Sequence, residues 1–223
     1  MKILKRGIFL CTLLLLYNPY IFGQNMRVYP SIEGLKEFAV PSVSSSEWYR
    51  LNYSKDDYYV DDTGIVIIRN ESGGSQYIYE TDNGKLIGTN HGEWGGKLIF
   101  KNDTVEYTII HENICGIVQY NNGIYVLTGL SHLRISEGKI IKIEIINGKW
   151  ESTFFKEFDS SPEIYTIFEN RLYIVTFDGL IIFDGDTIHQ ILREQFWSSL
   201  YPQSIYINEK IIAIGLWIKT IIK

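Results

Sequence analysis

Apolar and polar positions alternate along most of this chain in short runs broken by polar turns. Lys139–Ile146 interleaves lysine and glutamate with isoleucine, as a strand with one buried face requires. Two longer stretches share one grammar. Ile117–Leu130 reads IVQYNNGIYVLTGL and Tyr165–Leu180 reads YTIFENRLYIVTFDGL. Each is an apolar run, a polar turn, a second run ending in Val-Leu-Thr or Ile-Val-Thr, then a Gly-Leu corner. Ile78–Gly92 and Ser204–Leu216 are looser copies. Asp82-Asn83-Gly84, Asn121–Gly123 and Asn147-Gly148 are hairpin turns, because asparagine and glycine tolerate the positive φ that matches strand twist. Gly84, Gly123, Arg171 and Lys210 mark equivalent turns at intervals of roughly 40–50 residues, the period of a four-stranded repeat.

The pattern predicts strands at Tyr77–Glu80, Lys85–Gly88, Lys97–Phe100 and Val105–Ile110 in the first full unit. Lys149–Phe155 closes the second unit, and Ser131–Gly138 reads as an insertion at its corner. The third unit runs over Ile164–Ile174, Leu180–Phe183 and Thr187–Leu192, with a turn at Asp184–Asp186. The fourth starts at Ser204 and ends short, and two readings stand open: strands around Tyr58 to Ile68 supply what is missing, or the repeat is truncated and leaves a hydrophobic sheet edge. Trp48–Tyr53 alternates weakly. The expected fold is all-β and β-propeller-like, with about four blades of antiparallel strands and an incomplete last blade. A β-sandwich is the alternative.

Composition supports this reading. Aromatic residues make up 14%, with 16 tyrosines, which favours strands. A net charge of -5, with no Lys/Arg cluster after the first residues, argues against nucleic acid as partner. Met1–Asn25 has a basic start, the apolar run Gly7–Tyr17 and the small Gly23, the order of a secretory signal. The run is too short to span a bilayer, so no membrane span is expected once it is removed. The expected organisation is a signal over residues 1–23, an irregular linker over 24–46 and the β domain over 47–223. The protein is then exported, to the periplasm or the cell exterior. With Cys11 gone, Cys115 is alone in the apolar context NICGIV, a buried inert thiol rather than a nucleophile.

Two segments carry candidate chemistry. His91, Glu93 and Trp94 sit between glycines, where Trp94 would be a stacking platform and the other two polar anchors. The plainer reading is a tight corner with Trp94 packed between sheets. His132, Arg134 and Glu137 lie in the corner insertion, where loops of a repeat scaffold gather to bind ligands. There the plainer reading is a solvated loop with an Arg134–Glu137 pair. His91, His111, His132 and His189 lack zinc-site spacing, and Asp184-Gly185-Asp186 lacks the rest of a calcium loop, so no metal or cofactor is expected. No nucleophile elbow is present. Glu93 and Glu137 would suit glycoside chemistry if the fold brought them together. Phe196-Trp197 and Leu200-Tyr201-Pro202 read as an aromatic link between units.

The segments GTNHGEWGGKLIF (Gly88–Phe100), GLSHLRISEG (Gly129–Gly138) and FWSSLYPQSIYI (Phe196–Ile207) resemble, in that order, an uncharacterised family of exported bacterial β-propeller-like proteins. The single units are also similar to the short repeats of two-component-regulator sensor propellers. The first resemblance implies fold and location and no reaction. The function expected from the sequence is a non-enzymatic binding or scaffold module whose partner is a carbohydrate, a peptide or an envelope protein. The alternatives are a glycosidase or lyase using Glu93 or Glu137, and a fragment of a sensor propeller.

Overall fold

The computed structural model describes residues 11–13, 40–52, 55–60, 66–68, 75–133, 135–198, 200–209 and 212–219. The signal expected over Met1–Asn25 lies outside them apart from Cys11–Leu13, as does most of the expected linker. The chain divides into two compact units, residues 71–195 and the two termini around them.

In the first unit to consider, the terminal one, β1 (Cys11–Leu13), α1 (Ser46–Asn52), β2 (Lys55–Val60) and β3 (Val66–Ile68) come from the N-terminal side. The weakly alternating stretch from Trp48 is helical as far as Asn52. The Ser45 hydroxyl caps it by accepting from the Trp48 amide at 3.1 Å. Trp48 is buried, and its indole N–H donates to the Phe196 carbonyl at 2.8 Å.

Residues 71–195 form three four-stranded antiparallel meanders. The first is β4 (Ser75–Thr81), β5 (Gly84–Asn90), β6 (Gly96–Lys101) and β7 (Glu106–Ile110). The second is β8 (Ile114–Tyr120), β9 (Gly123–His132), β10 (Ile135–Ile146) and β11 (Lys149–Phe158). The third is β12 (Pro162–Phe168), β13 (Arg171–Thr176), β14 (Leu180–Phe183) and β15 (Ile188–Leu192). In the terminal unit β16 (Pro202–Ile207) pairs with β17 (Ile212–Lys219). The N-terminal strands complete that sheet, β2 against Trp217–Lys219 and β3 against β2.

The turns follow from residue type. Asn121-Asn122, Asn147-Gly148 and Glu169-Asn170 all have positive φ at both central positions, the mirror-image turn that right-twisted strands need. The β6–β7 and β14–β15 loops share another device. Asn102 Oδ1 accepts from the Thr104 and Val105 amides, and Asp184 Oδ1 from the Asp186 and Thr187 amides. The Asp184 carboxylate is therefore committed to a turn, as the sequence reading favoured.

The middle sheet of residues 71–195 is buried on both faces. Toward the first sheet, Ile114, Ile117, Val126, Ile141 and Ile143 pack on Leu86, Leu98, Phe100 and Ile110. Toward the third, Val118, Tyr120, Tyr125, Leu127 and Ile140 pack on Leu172, Ile174, Ile181 and Phe183. Strand alternation sends neighbours such as Ile117 and Val118 to opposite cores. Tyrosine hydroxyls tie the sheets together where the apolar faces meet. Tyr79 donates to Gln119, Tyr165 to the Ile117 carbonyl and Tyr120 to the Asn170 carbonyl.

A repeated bulge marks the start of three first strands. The ladder skips Cys115 in β8, Glu163 in β12 and Gln203 in β16. The expected corner insertion Ser131–Gly138 is a lengthened hairpin rather than a loop, with Ile135 opposite His132 and Gly138 opposite Gly129.

Candidate functional site

The loop after β5 is fixed by its glycines and by Asn113. Gly92 and Gly95 have φ values of 59° and 79°, which a side chain rarely adopts. Gly92–Trp94 forms one 3-10 turn closed by Gly95 N–H donating to the Gly92 carbonyl at 3.0 Å. Asn113, buried at the start of β8, donates to the Gly92 carbonyl at 2.7 Å and accepts from the His91 amide at 3.2 Å. The chain must turn here for a steric reason as well. A Cβ on Gly96 would collide with the Thr89 carbonyl and lie 2.8 Å from Asn113 Cα.

This turn faces the β9–β10 hairpin of the second sheet. Glu93 Oε2 lies 3.0 Å from His132 Nε2, joining the two segments singled out from the sequence. Below that bridge lies a cleft of about 270 Å³. Glu93, Glu112, Glu137, Asn113, Thr128 and Lys139 line it, with the backbone of several glycines. Its floor is a fixed polar chain. Glu112 accepts from the Thr128 hydroxyl at 2.7 Å through one oxygen and from Lys139 Nζ at 2.8 Å through the other. The Glu112 carboxylate holds the Lys139 ammonium above the ordinary lysine range. Gly129 and Gly138 sit opposite each other at the cleft edge, where a Cβ on Gly129 would lie 2.5 Å from Pro162.

The predicted residues fall as follows. Glu93 and Glu137 line one cleft, and His132 is held to Glu93 at its mouth. His91 serves through its backbone, while its side chain is exposed. Arg134 lies outside the described residues, and with it the expected Arg134–Glu137 pair. Trp94 corrects the plainer reading. It is 84% exposed, so it packs between no sheets, because the turn lifts it away from both cores. Leu133 and Ile135, at the tip of the facing hairpin, are exposed as well. Phe196, Trp197 and Leu200 are buried in the terminal unit.

Glu112, Asn113, Thr128 and Lys139 were not singled out from the sequence. Their one legible sign is that Glu112-Asn113 precedes a repeat strand where the next repeat has Ser160-Ser161. Among the described residues no cluster of His, Cys, Asp and Glu has the makings of a metal site. No helix in them is long and apolar enough to cross a membrane. No family model matches the chain, and no curated protein matches it.

Proposed function

We propose that the protein is a non-enzymatic binding module of the cell envelope or exterior, and that it takes its ligand in the cleft lined by the turn that carries Trp94. The scaffold in this reading is propeller-like. Consecutive meanders stacked face to face, with the same bulge in the first strands β8, β12 and β16, support it. The observation that carries the binding reading is the Glu93–His132 bridge. It brings two loops far apart in sequence to the mouth of one polar cleft, with an exposed tryptophan beside it. Loops held by a rigid sheet scaffold are the usual place for recognition.

The test uses glycan and peptide arrays probed with the wild-type chain and with Leu130→Trp, which fills the cleft from its wall. The expected outcome is a ligand bound by the wild type and lost in Leu130→Trp at an unchanged unfolding midpoint. Equal binding by both chains would remove the cleft from the proposal.

A second reading is favoured by one observation. Glu93 and Glu137 share the cleft, as a glycosidase acid and its partner carboxylate would. Glu137→Gln separates the readings. It would abolish turnover and spare binding in an enzyme, and would leave no turnover to lose in a binding module.

A further inference from the structure

Resting on the cleft as the ligand seat, we infer that its ligand is a neutral sugar ring rather than an anion or a cation. Two of the three carboxylates of the site are already held within it. Glu112 holds Lys139 at 2.8 Å and Glu93 lies 3.0 Å from His132. Lys139 is the one cation among the described lining residues, and it faces three carboxylates, so a phosphate or uronate would meet net repulsion. Lys139 and His132 already hold Glu112 and Glu93, so a cationic ligand would have Glu137 at the rim as its one further carboxylate.

What stays available is a mixed set of donors and acceptors. Lys139 pairs with Glu112 through one of its three ammonium donors, while Thr128 is fully buried and fixes Glu112 from below. Asn113 anchors the turn and also lines the cleft. Glu137 is exposed at the rim. Neighbouring hydroxyls, each both donor and acceptor, fit such a set without burying an unpaired charge. Trp94 supplies the other half of sugar recognition, a flat apolar surface 84% open to solvent for the C–H face of a ring. The volume of about 270 Å³ falls just below the usual range of ligand pockets, so one ring enters and any further residues lie across Trp94.

Immobilised neutral, uronate-containing and amino-sugar oligosaccharides are probed with the full chain at low and high salt. Binding of a neutral member that survives high salt is expected. Trp94→Ala should weaken it about tenfold and Trp94→Phe much less. The substitution touches no core, so the unfolding midpoint should not move. Binding confined to charged members and lost at high salt would overturn the sugar class while leaving the cleft in place, provided Leu130→Trp still abolishes it. Binding indifferent to both Trp94→Ala and Leu130→Trp would sink the cleft itself. An array with no neutral sugar bound overturns the inference.

Discussion

Glu163 shows how a backbone irregularity places a charge. The bulge at the start of β12 takes it out of the ladder, as the equivalent bulge does Cys115. Protein atoms crowd Glu163 although part of its surface reaches solvent, and this burial pushes its carboxyl up to about 8, opposed by the Ser161 hydroxyl. Burial likewise pushes the Cys115 thiol up to about 12, with the Glu163 charge adding to it. From the ordinary carboxyl value of 4.5 up to about 8, the folded chain keeps a proton that the unfolded chain releases. Stability therefore falls as pH rises through that window and is flat below it. Glu163→Gln, which has no proton to lose, should exceed the wild type in stability by roughly 1–3 kcal/mol at pH 8, the solvent access of Glu163 reducing the full effect. The gap should close toward pH 4. Urea unfolding at both values checks this, and a pH-independent gap would contradict it. The inert thiol was legible, because NICGIV is apolar on both sides of Cys115. Glu163 was not. Its neighbours read as the end of a turn, and only the bulge turns it inward.

At the level of elements, glycine at one strand position sets how closely two sheets approach. A Cβ on Gly116 in β8 would run into the ring of Tyr165 in β12. That ring is also held by its hydroxyl, which donates to the Ile117 carbonyl at 2.9 Å. Gly116→Ala should destabilise the chain by about 1–3 kcal/mol through overpacking and displacement of this bond. Tyr165→Ala removes the obstacle, so the double variant should lose less than the sum of the two single ones. A strictly additive cycle in urea would mean that the sheets do not meet there. The hairpins were readable because Asn and Gly announce turns of positive φ, and the three meanders follow from them. The lengthened hairpin at Ser131–Gly138 was taken for a loop insertion for a physical reason. It extends past the core, most of its residues keep contact with solvent, and it therefore carries no apolar alternation. The cleft floor was hidden for another reason. Glu112, Thr128 and Lys139 meet only because β8, β9 and β10 lie side by side, and no local spacing encodes that.

For the whole chain, the consequence of greatest reach concerns the sheet built from both termini. One edge of β17 is paired with β16 along Ile212–Leu216. Its other edge is paired with β1 along Ile212–Ile214, and β2 pairs with it further on, along Trp217–Lys219. At Ile212–Ile214 that edge is thus covered by residues expected to belong to a removable leader. The side chains at Ile212, Ala213, Ile214 and Leu216 are buried, so this is an apolar strand whose backbone groups need a partner. Open edges of that kind pair with other chains. A chain starting at Gln24 should therefore self-associate with rising concentration, while the chain from Met1 does so less. The comparison is made by light scattering on freshly refolded material. A chain trimmed further, past Val60, loses β2 as well and should associate more strongly than either. Equal behaviour of the chains from Met1 and Gln24 would show that β1 protects nothing, and that β2 and β3 alone satisfy the sheet.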